Sequence, residues 1–87
     1  MISEQTLQRL ESLSRHCDPV PWRASVEGRD HVSGDSFIMT GDDNRRGEDI
    51  YVTRDSGPAG AEYLDFIAEA CTWLPVLIAE VREARRR

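Results

Sequence analysis

The residues best equipped for chemistry fall into three small groups. His16, Cys17 and Asp18 are adjacent, and with His31 and Cys71 they offer enough nitrogen, sulfur and oxygen donors for a zinc ion. Structural zinc sites, however, place paired ligands about two to four residues apart within a turn, and no pair here repeats that spacing. The group reads instead as a histidine at a helix end, where the dipole favours a cation, beside a thiol. Asp42, Asn44, Gly47, Glu48 and Asp49 have the composition of a calcium loop, but Arg46 interrupts the donors, and Thr53 stands at the twelfth position from Asp42, where a bidentate glutamate is needed. That segment reads as a charged hairpin loop. For nucleophilic catalysis Cys17 needs a base such as His31 and an orienting carboxylate; Ser36 and Ser56 need the same, and none sits in a recognised local signature. No phosphate-binding glycine loop follows a strand. The chain therefore reads as a non-enzyme with no cofactor and no metal.

The elements that must position these residues belong to a chain of 87 residues, long enough for one domain with one modest core and too short for two. Apolar residues make up 39% and charged residues 31%, a globular balance, and no apolar stretch approaches the roughly 20 residues a bilayer requires. The opening MISEQTLQRL lacks the basic start and unbroken apolar stretch of a secretory signal, so a cytosolic protein with two buried thiols at Cys17 and Cys71 is expected. Charge is unevenly spread. Met1 to Val81 carry a net charge of −8, and Arg82 to Arg87 carry +3. Such an acidic body repels phosphates, which argues against direct nucleic-acid binding and for attraction to a basic protein surface.

Ser3, followed by Glu4, Gln5 and Thr6, is a helix N-cap, and Leu7, Leu10, Leu13 and Cys17 recur at helical spacing as a stripe that should face the core. Asp18-Pro19-Val20-Pro21 ends that helix. Trp22, Ala24 and Val26 alternate with polar residues as in a half-buried strand, Ser36 to Thr40 gives a second strand and Asp49 to Thr53 a third, an antiparallel meander. Ser56-Gly57-Pro58 is expected to open a C-terminal helical region striped by Leu64, Ile67, Cys71, Leu74, Ile78 and Val81, kinked or split at Pro75. The fold class is thus α+β: an N-terminal helix, a three-stranded antiparallel sheet and a C-terminal helical region, with a short basic tail at 82–87. Phe66, Trp73, Val76 and Leu77 form a second apolar face wider than a small sheet can cover. Trp22 reads as a core residue, whereas Trp73 suits the core and a partner-binding anchor equally. The terminal arginines complement a helix C-terminus.

The Cys17-Asp18-Pro19-Val20-Pro21-Trp22 turn and the segments Asp65-Phe66-Ile67-Ala68-Glu69-Ala70 and Leu74-Pro75-Val76-Leu77-Ile78-Ala79-Glu80-Val81 together resemble small proteins of temperate phages and prophages of the Ead-like, early-region type. Asp18 and Val20 stand where the family pattern has threonine and glycine, and Cys71 stands where an arginine is common. The resemblance implies a phage accessory protein working in the cytoplasm of a host cell. The leading expectation is a stoichiometric anti-CRISPR or anti-defence inhibitor whose partner is a host defence protein or CRISPR surveillance complex. Asp30, Asp35, Asp42, Asp43, Glu48, Asp49 and Asp55 would present carboxylates to a basic nucleic-acid channel, with Tyr51 or Trp73 as the desolvated anchor. The alternative is a self-associating structural or regulatory module that buries Phe66, Trp73 and Val76 in a homodimer, and an inhibitor too can dimerise. A metal or redox protein using His16, Cys17 and Cys71 is the third reading.

Overall fold

The computed structural model describes all residues, Met1–Arg87. Helix α1, Glu4–His16, starts at Ser3, whose hydroxyl accepts a hydrogen bond from the Thr6 amide at 3.0 Å. It is followed by strands β1 (Trp22–Ser25), β2 (Phe37–Asp42), β3 (Arg45–Arg46), β4 (Thr53–Arg54) and β5 (Gly57–Pro58), and by helix α2 (Ala61–Arg85). The class is α+β, with a helix at each end of an antiparallel three-stranded sheet of order β1-β2-β3. β1 lies against β2 with Trp22 opposite Thr40 and Ser25 opposite Phe37. No helix is long and apolar enough to cross a membrane.

The third strand is not where alternation places it. Asp49 to Thr53 pairs with β2 only at Ile50, which exchanges two backbone hydrogen bonds with Ile38, at 2.8 and 2.9 Å. Residues Arg45 and Arg46 take the edge instead, because the chain reverses early. Gly41 adopts φ +77°, and a Cβ there would lie 1.8 Å from the Arg45 carbonyl oxygen, so only glycine permits this close return. Asp42 then accepts the Asn44 and Arg45 amides at 2.9 and 3.0 Å, a side-chain turn that closes the hairpin. Ser56-Gly57-Pro58 likewise does not open the helix. Gly57 and Pro58 pair with Arg54 and Thr53 in a two-stranded ribbon, and α2 begins at Ala61 after Gly60.

α2 is one helix of 25 residues, neither split nor interrupted at Pro75, and it takes in Arg82 to Arg85 of the basic segment expected as a tail, leaving Arg86 as its cap and Arg87 beyond it. Arg82 reaches α1, where its guanidinium contacts Glu4 and lies 3.1 Å from Glu11, and Arg85 contacts Glu4 and the Ile2 carbonyl. The α1 stripe is only partly used: Leu7 is buried and Leu10 half-buried, but Leu13 and Cys17 are exposed, since the far end of α1 borders an open cleft rather than the core.

The core is small. Ile38 and Leu64 are fully buried at its centre, and Ala24, Ala59 and Ala68 surround them, flanked by half-buried Trp22, Val26, Ile50, Val52 and Ile67. The small alanine side chains let α2 approach the sheet closely. Trp22 packs against this cluster, the role expected of it. Two polar contacts fix the docking. The Trp22 amide donates to the Thr72 hydroxyl at 2.8 Å, and that hydroxyl donates to the Trp22 carbonyl at 3.0 Å, so both groups facing away from β2 are satisfied by α2. Farther along, Arg29 grips Asp65 of α2 through two bonds of 2.8 and 3.0 Å and also binds Asp30.

Two outcomes follow from these contacts. Thr72→Val is expected to cost about 2 kcal/mol of unfolding free energy, because two partly buried backbone groups lose their partner, whereas Thr72→Ser costs less; urea unfolding measures both. Hydrogen bonding from Arg29 holds the Asp65 carboxyl below its usual range, and for Asp30 the Val26 amide adds to the same effect. A depressed folded-state pKa gives stability that is present above about pH 4 and lost as the pH falls through the folded values. Arg29→Gln should therefore flatten the acid limb of a Tm-against-pH profile below about pH 4, while Arg9→Gln leaves that limb unchanged.

Candidate functional site

His31 does not meet Cys17. Its Nε2–H donates to the Asp35 carbonyl at 3.0 Å, which leaves Nδ1 of the neutral ring to accept the Ser25 hydroxyl at 2.9 Å. Ser25, rather than Ser36 or Ser56, is thus the serine beside a base, a pairing that sequence reading missed because the two residues meet only when the 27–36 loop folds back. The ring is oriented by a backbone carbonyl and not by a carboxylate, and Ser36 spends its own hydroxyl on the Glu27 amide at 2.9 Å. These contacts act as clips for the loop. No group of three or more histidine, cysteine, aspartate or glutamate side chains is placed to hold a metal ion, so His16, Cys17 and Asp18 remain neighbours in sequence without a shared coordination geometry.

The cysteines do converge. Cys17 at the end of α1 and Cys71 in the middle of α2 both line a cleft of about 200 Å3 whose other walls include Leu10, Leu13, Val20 and Trp22. Both thiols are free, and where two buried thiols were expected Cys17 is exposed and Cys71 half-buried, because both border this open cleft rather than the core. Burial raises the Cys71 thiol above its ordinary range, and the proximity of Cys17 raises it further.

A second and larger groove, about 380 Å3, lies between the β2–β3 hairpin and α2. Asp42 and Asp43 reach it from the hairpin, Arg23 and Arg46 from the sheet, and Glu69 and Trp73 from the helix. The Trp73 indole N–H donates to the Glu69 carboxylate at 3.0 Å, which fixes the ring on the rim while 53% of the residue stays exposed. Asp42 is committed to the turn; Asp43 is exposed and carries no intramolecular partner. Comparison with protein-family models, curated proteins and solved structures finds no match. The groove must be interpreted from its own geometry.

Of the residues proposed to bind a partner, the structure gathers Asp42, Asp43 and Trp73 around this groove and leaves the others outside it. Asp49 is held by Arg46 at 3.0 Å, and Asp30 belongs to the Arg29 and Asp65 cluster. Asp35, Glu48 and Asp55 are exposed on separate loops, Asp55 at the tip of the β4–β5 ribbon. Tyr51 is exposed in an aromatic row, with ring centroids 5.5 Å from Phe37, which in turn lies 5.7 Å from His31. Glu69 was not singled out from the sequence, although its position four residues before Trp73 places both on one helix face. Arg23 and Arg46 reach the groove only through the strand pairing. Along α2, Phe66, Trp73, Val76 and Leu77 are all exposed, the uncovered apolar excess that the sequence led one to expect.

The thiols offer a direct check of the cleft. Iodoacetamide should modify Cys17 first, and the rate at Cys71 should climb with pH over a higher range than that of a free cysteine, as followed by peptide mass spectrometry.

Proposed function

We propose that the protein acts by stoichiometric binding to a basic macromolecular surface and not by turnover, with the groove between the β2–β3 hairpin and α2 at the centre of contact. The observation that carries this reading is the juxtaposition there of a partner-free carboxylate, Asp43, with an exposed tryptophan pinned by Glu69. An immobilised aromatic ring contributes contact area at little cost in rotamer entropy, and flanking carboxylates steer a basic surface onto it. The committed carboxylates Asp30 and Asp49 are already neutralised within the chain and add less to such a surface.

The motif resemblance to Ead-like phage proteins supplies the setting: a phage product in the host cytoplasm that occupies the nucleic-acid channel of a defence complex, of which a CRISPR surveillance complex is the first to test. The acidic net charge of −5 supports this choice, because a channel that holds nucleic acid is lined with cations. The test is co-purification with CRISPR surveillance complexes of the common subtypes, with loss of target-DNA binding as the readout. Asp43→Arg should weaken association about tenfold or more and reduce its salt dependence, while Glu48→Arg, outside the groove, has the smaller effect. No complex at micromolar concentrations removes the defence assignment; equal effects of the two reversals remove the groove.

A further inference from the structure

α2 carries hydrophobic residues in two parallel seams. The inner one runs through Leu64, Ile67, Cys71, Leu74 and Ile78 and belongs to the chain's own packing. The outer one, a residue out of phase, runs through Tyr63, Phe66, Ala70, Trp73 and Leu77 and continues to Glu80 and Ala84 with unbroken spacing of three and four. Every member of the outer seam is exposed, Phe66 by 72% and Leu77 by 55%. Such spacing keeps one line of side chains facing a second helix laid alongside, here over roughly 30 Å. We infer that α2 pairs side by side and antiparallel with α2 of a second copy of this chain, a twofold dimer that competes with the groove's partner for Trp73.

Shape, charge and area select this occupant. With the twofold axis midway between Cys71 and Thr72, the outer-seam positions from Tyr63 to Glu80 fall opposite one another: Ala70 against Trp73, Phe66 against Leu77, and Tyr63 against Glu80, with Ala84 beyond the start of the other helix. The large indole thus meets an alanine, and each of the three contacts occurs twice, as an isologous interface requires. Arg54 lies over the Tyr63 ring with its guanidinium carbon 4.3 Å from the centroid and has no carboxylate partner within the chain, and Glu80 likewise has none. Antiparallel pairing brings these two uncompensated charges together across the interface. It also brings Glu62, at the start of α2, close to the arginine-rich end of the other copy. Parallel pairing would stack acid on acid and arginine on arginine, with the helix dipoles aligned. The seam's exposed aromatics contribute a few hundred Å2 of apolar area per copy, which with the polar flanks approaches the roughly 800 Å2 per partner of a stable interface.

Sedimentation and light scattering of the purified chain at 10–200 µM (roughly the range where weak pairs assemble) should report twice the monomer mass of 9.9 kDa. Ala70→Glu, a surface change in a helix, should raise the dissociation constant about 100-fold with an unchanged circular dichroism spectrum. Glu80→Arg should raise it about tenfold, and adding Arg54→Glu should restore it. Isotope-filtered NOEs in a mixed labelled dimer should connect Phe66 of one copy to Leu77 of the other. A monomer throughout the range, a dimer indifferent to Ala70→Glu, failure of the charge swap to restore pairing, or intermolecular Phe66–Phe66 contacts would each overturn the inference.

Discussion

Both backbone groups of Trp22 that point away from β2 meet one hydroxyl, that of Thr72, and through this contact the edge strand and the long helix become a single framework. An edge strand otherwise exposes unpaired amides and carbonyls that invite another chain. Here a side chain satisfies them at the start of β1, and the same bonds fix the height of α2 along the strand. That height decides what the neighbouring residue does: Trp73 is brought to the β2–β3 hairpin and not to the core. The alanines at 24, 59 and 68 permit the approach, and the Thr72 hydroxyl sets its register.

The small core shapes the rest. Only 8 of 87 residues are buried, so a helix as long as α2 has more apolar surface than the sheet and α1 can cover. The inner seam is consumed by the chain itself, and the outer seam and the hairpin groove lie beside one another on what remains, sharing Trp73. A pair of chains joined along the outer seam would withdraw Trp73 from both grooves, so pairing and capture of a partner in the groove oppose one another.

Much of the architecture was legible because its signals are local. Ser3 caps α1, alternation through Trp22, Ala24 and Val26 marks the first strand, and the long stripe from Leu64 to Ile78 marks α2. Failures came where one backbone conformation or one side-chain bond overrode a pattern. The β-rich Ile50-Tyr51-Val52 reads as a strand, yet the positive φ of Gly41 and the turn bonds of Asp42 give the pairing to Arg45 and Arg46. Pro58 looks like a helix opener, yet its neighbour Gly57 takes φ +126° and joins a ribbon. For the site, residue types were readable and their meeting was not. Asp43 and Trp73 lie thirty positions apart and adjoin only because of the docking described above, while Asp35 and Asp55, alike in sequence, end on other loops.

α1 is fastened differently from everything else. Leu7 is its one buried residue, and much of its remaining attachment is the guanidinium of Arg82 shared between Glu4 and Glu11, with Arg85 beside it. Ion pairs this accessible weaken as electrolyte accumulates, whereas aliphatic packing beneath the sheet does not. The attachment of α1 is therefore more sensitive to ionic strength than the packing of α2 on the strands, with Leu7 its apolar anchor. Because Leu10, Leu13 and Cys17 supply one wall of the thiol-lined cleft, the width of that cleft is tied to how firmly these ion pairs hold the first helix.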